Sequence, residues 1–316
     1  MESTFVLTIF ITLGLVLILA GANYLTDGSA AIARRLRVSE FIIGLTVVAL
    51  GTSMPEIVVS AVSSLKGSAD LAIGNVNGSN IFNTLVVLGL SAVITPLALT
   101  PLNIRRDIPF GIFASLVLVA VLWGGTISRI EGAAMIVLYL LIMWYSIKNS
   151  RPSKEEQEVI DQIDDEPQMA LWLALVMIAG GLAALIGGGN MLINNAVILA
   201  MKYNIPDNVI AVTLLAGGTS LPELAASLIS LIKGKADIAL GNVIGSNIAN
   251  IFLALGISST VSPLIMGGGW IDVWITLISS VLLLFTAFTF KRKMLDRVEG
   301  VIFLLIYVGY IAYIIK

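Results

Sequence analysis

Two short stretches of this chain place acids, hydroxyls and a proline inside otherwise continuous apolar sequence. Gly51-Thr-Ser-Met-Pro-Glu56 recurs as Gly218-Thr-Ser-Leu-Pro-Glu223, identical at five of six positions. Eighteen residues after each glutamate a second matched block begins: Gly74-Asn-Val-Asn-Gly-Ser-Asn-Ile-Phe-Asn83 and Gly241-Asn-Val-Ile-Gly-Ser-Asn-Ile-Ala-Asn250. On a helix, Thr52 and Glu56, Ser53 and Glu56, and Ser79 and Asn83 are three or four apart and share a face. Pro55 removes an amide donor and is expected to release the carbonyl of Gly51; Pro222 is expected to do the same for Gly218. In lipid a released carbonyl is tolerated only where protein, water or an ion satisfies it. All of these groups are hard oxygens. Calcium takes about six to eight such ligands, sodium uses the same kinds of group, and magnesium fits less well because it gives up its waters reluctantly. Two carboxylates match the charge of one divalent cation. An ionisable group at the bilayer centre costs about 2.5–3.5 kcal/mol on insertion scales, so it is read as functional by default.

The elements that must hold these residues are membrane helices. The chain has 316 residues, 58% of them hydrophobic and only 12% charged, against about a quarter charged in soluble domains. Apolar runs long enough to cross a ~30 Å core fall near 5–25, 41–65, 71–95, 107–125, 130–148, 169–193, 208–232, 238–261, 271–290 and 299–315. Counting loops alternately, fourteen of the eighteen basic residues lie on one side. That side is expected to be cytoplasmic, which places both termini outside. The start, Met1-Glu2-Ser-Thr, lacks the basic residues of a signal peptide and leads straight into an apolar run, so the first span is expected to be retained.

The repeat extends beyond the motifs. Glu56 to Glu223, Asp70 to Asp237, Asn83 to Asn250 and Pro96 to Pro263 are all separated by 167 residues, and Glu131 to Glu299 by 168. Each half then carries five spans, an odd number, so the second half enters the membrane inverted. This is the plan of many secondary transporters, whose sites lie near the midplane on interrupted helices. The reading is therefore an all-α integral membrane protein of ten transmembrane helices in two inverted five-helix repeats. Residues 1–148 form one repeat and 169–316 the other, with 149–168 an acidic cytoplasmic linker.

Having neither cysteine nor histidine, the chain cannot build a thiolate or imidazole metal centre, a haem or a disulfide. No basic patch points to nucleic acid. The other polar residues have ordinary explanations. Asp70 and Asp237 suit helix N-termini; Glu131 and Glu299 read as interfacial pairs with Arg129 and Arg297; tryptophans near span ends suit the interfacial belt. Gly74 and Gly78 on their own would indicate close packing. Asp27 is opposite Asn194 in the repeat and is left out of the site. A membrane hydrolase would need adjacent carboxyls sharing a proton, which these motifs do not suggest, so no enzyme activity is expected.

The paired motifs resemble the two alpha repeats of the calcium/cation antiporter superfamily, specifically its sodium/calcium exchanger branch in the prokaryotic form built from alpha repeats alone. The resemblance covers nearly the whole chain. It implies a core of spans two, three, seven and eight around a central group of cation sites, with spans one and six sliding as a gate. Gly14, Gly21, Gly180, Gly181 and Gly187 to Gly189 are compatible with that sliding. The calcium site it implies is Glu56, Glu223, Thr52 and Thr219; the sodium sites add Ser53, Ser79, Ser220, Ser246 and the carbonyls of Ala49 and Ala216, and Asn83 faces the middle. Asn250 departs from potassium-dependent members and some prokaryotic ones, which look to carry an aspartate there, and its run instead resembles the potassium-independent animal exchangers. The expected function is antiport of sodium against calcium by alternating access at the cell membrane, with the ions as substrates, no cofactor, and a monomer as the working unit. The alternative is a calcium/proton or potassium-dependent exchanger of the same superfamily.

Overall fold

The computed structural model describes residues 4–149, 169–203, 217–291 and 293–314. The linker from residue 150 onward, Ala216 and the start of the seventh apolar run lie outside them. The helices are α1 (Thr4–Leu36), α2 (Glu40–Thr52), α3 (Met54–Leu65), α4 (Ala69–Ile94), α5 (Asn103–Trp123), α6 (Arg129–Lys148), α7 (Leu171–Lys202), α8 (Leu221–Ile232), α9 (Ala236–Val261), α10 (Trp270–Thr286) and α11 (Arg297–Ile314). Among the described residues seven of these are long and apolar enough to cross a membrane, or eight if α2 and α3 are one span bent at its break. The apolar helices α8 and α10 are shorter. With 33 and 32 residues, α1 and α7 outrun the apolar stretches that announce them. At 1.5 Å per residue each is about 50 Å long, well beyond a hydrocarbon core.

The chain divides into two compact units, each drawing on both halves of the sequence. The first is Met1–Thr52, Ser150–Asn242 and Gly309–Lys316. Here α1 lies against α7 along a seven-residue spacing of small residues: Gly14 faces Gly188, Gly21 faces Gly181 and Gly28 faces Ala174. A Cβ on Gly21 would come within 2.6 Å of the Gly181 carbonyl oxygen, so only glycine allows this approach. Ile18, Leu25, Ile178 and Leu185 fill in around the glycines, and Val48, Ala226 and Ile238 extend the same cluster to α2, α8 and α9. Gly44 and Gly241 bring α2 and α9 into backbone contact, with Ile238 O and Phe41 O as the facing atoms.

The second unit is Ser53–Asn149 and Val243–Val308, and in it repeat-related positions exchange partners. Gly132 meets Gly256, while Gly300 meets Gly89. Four two-residue strands, β1 (Leu97–Ala98), β2 (Thr126–Ile127), β3 (Leu264–Ile265) and β4 (Met294–Leu295), pair antiparallel as β1 with β4 and β2 with β3. Positions 97 and 264 correspond across the repeat, as do 126 and 294, so each copy lends a strand to the other. Glu131 and Glu299 act as helix caps rather than interfacial pairs. Glu131 forms a full capping box with Ser128, and Glu299 Oε2 accepts from Asp296 N at 2.9 Å. Arg129 donates instead to Val261 O. At the start of a helix the unpaired amides are the nearest donors, and they take the carboxylate.

Candidate functional site

In the second unit the helix break falls where Pro55 requires it. Ser53 stands at φ −80°, ψ 2° as the N-cap of α3, with Pro55 in the first turn, where its missing N–H is one of the orphans in any case. Ser-x-x-Glu is also the spacing of a capping box, yet the Ser53 side chain makes no capping bond. Glu56, third in the helix, is fully buried. Ser79 Oγ donates to its Oε1 at 3.4 Å, and Asn75 Nδ2 donates to its main-chain oxygen at 3.3 Å and to Ser60 Oγ at 3.0 Å.

One turn beyond Ser79, Asn83 opens a π turn over Asn83–Val87, and its repeat mate Asn250 opens another over Asn250–Ala254. A π turn widens the helix by one residue and re-aims the side chains at its start, a device frequent at functional sites. Asn83 is fully buried, and neither polar atom of its amide has a hydrogen-bond partner among the described residues. Asn250 Nδ2 donates to Asn80 Oδ1 at 3.1 Å, while its own Oδ1 lacks a partner among them. The amide chain continues from Asn80 Nδ2 to Asn247 O and from Asn247 Nδ2 to Thr84 Oγ1. Ser246 is fully buried in α9.

The first unit holds the other predicted residues. Glu223 is fully buried in the first turn of α8, behind the N-cap Ser220 and with Pro222 at the helix start. Thr219 is half-buried. The Gly218 carbonyl, expected to be released by Pro222, is not: it accepts from Leu221 N at 3.3 Å. The chain tightens into a three-residue turn that recovers the bond a proline denies to the four-residue one. Thr52, last in α2, donates to Asn242 Oδ1 at 3.1 Å and to Ala49 O at 3.3 Å. Asn242 in turn donates to Glu223 O at 3.3 Å and Ser227 Oγ at 3.0 Å. One candidate ligand from each copy is thus joined through a single amide. Ala216 lies outside the described residues.

The donor set is carboxylate, hydroxyl, amide and carbonyl oxygen, and among the described residues no three acids gather in one place. Such a set suits hard cations and discriminates against metals that prefer sulfur or imidazole. Asn75 and Asn242, with Ser60 and Ser227 beneath them, were not among the residues expected at the site. Their signal was identity between the two copies at positions with no obvious ligand role.

The profile of the sodium/calcium exchanger protein family matches residues 6–148 and 173–316. The chain belongs to that family. It is 39% identical to CaxA of Alkalimonas amylolytica over 96% of this chain and 97% of that one. It is 29% identical to the sodium/calcium exchanger MaX1 of Methanosarcina acetivorans over 96% and 97%. Among solved structures it superposes on the sodium-calcium exchanger NCX_Mj soaked with zero Na+ and Ca2+, with a TM-score of 0.84 and 33% identity over 99% of this chain and 100% of that one. On NCX_Mj soaked with 2.5 mM Na+ and 0.1 mM Ca2+ the TM-score is 0.82. The protein is accordingly a multi-pass membrane antiporter of the calcium/cation class, a transporter rather than an enzyme.

Proposed function

We propose that this exchanger moves sodium against calcium by alternating access, with Glu56 and Glu223 as the central cation ligands. Asn83 carries the reading: a fully buried amide with both polar atoms unpaired among the described residues, one turn from a serine that donates to a buried glutamate. A buried polar group left this way costs about 1–3 kcal/mol, and ligation of a cation by Asn83 Oδ1 relieves the oxygen's part of that cost. Thr52, Thr219, Ser53, Ser79, Ser220, Ser246, Asn83, Asn250 and the carbonyls of Ala49 and Ala216 complete the proposed ligand set.

In the proposed architecture α8 and α10 supply the remaining two of ten spans, in two inverted repeats with both termini outside the cell membrane. The exchange of partners between repeat-related glycines and strands supports a twofold relation between the copies. Paired along their glycines, α1 and α7 slide as the gate. If the site must be filled, by calcium or by sodium, before the gate crosses, the two gradients are coupled. More than two sodium ions per calcium make the cycle electrogenic. With sodium directed inward, calcium leaves the cell.

Melting curves of the detergent-purified protein test the shared site. Calcium is expected to raise Tm with concentration, and sodium to shift that response to higher calcium. Calcium and sodium effects that simply add would contradict a common site. Potassium that strengthens the calcium response, as an ion carried together with calcium would, favours a potassium-dependent exchanger instead.

A further inference from the structure

Asn242 is not among the proposed ligands, yet it is fully buried and its whole amide is engaged. A side-chain amide offers two N–H donors and one carbonyl. Here the carbonyl takes the Thr52 hydroxyl hydrogen, and the amine spans Glu223 O and Ser227 Oγ. Direction decides what this does. A hydroxyl binds a cation through an oxygen lone pair, so its hydrogen has to point elsewhere. Thr52 directs its one hydrogen towards Asn242 Oδ1 and Ala49 O, which leaves oxygen lone pairs for a ligand.

At its other end, Asn242 holds the first turn of α8, from which the Glu223 carboxylate projects. A carbonyl in a first helical turn already has an intrahelical donor, so this bond adds constraint and rescues no orphan. Asn75 repeats the arrangement on Glu56 O and Ser60 Oγ at the same 3.3 and 3.0 Å. The same bonds made at repeat-related positions, each beneath a candidate ligand, match the way metal ligands are oriented by the groups behind them.

We infer that Asn242 and Asn75 are positioning residues for cation binding. Asn242 orients the Thr52 lone pairs and the Glu223 turn; Asn75 orients the Glu56 turn. The inference rests on the proposed exchange of sodium for calcium. It is tested by calcium-45 uptake into sodium-loaded proteoliposomes, with apparent KM and maximal rate measured separately for wild type, Asn242→Ala, Asn75→Ala, Thr52→Val and the Thr52→Val/Asn242→Ala double variant. Asn242→Ala is expected to raise the apparent calcium KM about tenfold, as loss of a ligand-orienting bond implies, with folded protein recovered as a single size-exclusion peak. The double variant should raise KM by less than the product of the single effects, because both changes disturb the same hydroxyl. Asn75→Ala, in a half-buried position, gives a second reading should Asn242→Ala not fold. Folded variants with wild-type KM and a lower maximal rate, fully multiplicative effects, or loss of folded protein in both asparagine variants would each overturn the positioning role. A wild type that moves no calcium would overturn the exchange reading itself, so the two failures are distinguishable.

Discussion

Replacing Gly21 by alanine puts a methyl group into the closest contact between α1 and α7. The added Cβ would lie 2.6 Å from Gly181 O, 2.8 Å from Leu185 N and 3.0 Å from Ala184 Cβ. Two of those atoms are backbone and cannot rotate away. Ordinary contact begins at 3.4 Å, so the helices must separate by about 0.8 Å, the difference between 3.4 and 2.6. Overpacking of this kind costs about 1–3 kcal/mol. At Gly180, on α7 beside Gly181, an added methyl would meet nothing within 4 Å, so Gly180→Ala carries the same gain in helix propensity, about 0.8–1.0 kcal/mol, without the clash. The two variants should therefore differ by the overpacking cost alone. At roughly 2–4 °C per kcal/mol for chains of moderate size, Gly21→Ala should melt several degrees below Gly180→Ala in thermal unfolding of the purified protein. Equal midpoints would refute the claim that these helices touch through their glycines.

Glu56→Gln keeps the side chain's shape and an oxygen for Ser79 but removes one charge from the proposed site, and Glu223→Gln does the same in the other copy. Leaving a buried charge short of its partner costs about 3–5 kcal/mol, so calcium affinity should fall by roughly two to four orders of magnitude. Exchange that survives in both single variants would contradict the site. Asn250→Asp sets an acceptor against Asn80 Oδ1 in place of the 3.1 Å hydrogen bond, and the loss of that bond should lower cation-free stability by about 1–3 kcal/mol. Saturating calcium should recover part of it; a Tm unaffected by either the substitution or calcium would refute the placement.

The broad architecture was legible because it depends on composition and repetition. Apolar runs marked the helices, and duplicated Thr-Ser-x-Pro-Glu blocks marked the buried acids, which fall at the starts of α3 and α8 as Pro55 and Pro222 demand. What was not legible depends on geometry that residue types do not encode. Nothing in the letters around Asn83 and Asn250 distinguishes a π turn from an α turn, yet the wider turn decides where those amides point. The Gly218 carbonyl was expected to be free because Pro222 denies it the four-residue bond, but no residue type announces the three-residue closure to Leu221. Asn75 and Asn242 were visible as identical letters in the two copies, but their partners are main-chain and hydroxyl oxygens that only the folded chain brings near. Glu131 and Glu299 each had an arginine two residues away in sequence, and the nearer amides of their own helix starts took them instead.

The most direct measurement of the central claim is calcium-45 uptake by wild-type protein in vesicles loaded with sodium and diluted into sodium-free medium. The account predicts uptake that scales with the outward sodium gradient, stops when an ionophore collapses it, and is indifferent to an imposed proton or potassium gradient. Uptake that ignores sodium and follows the proton gradient would contradict it.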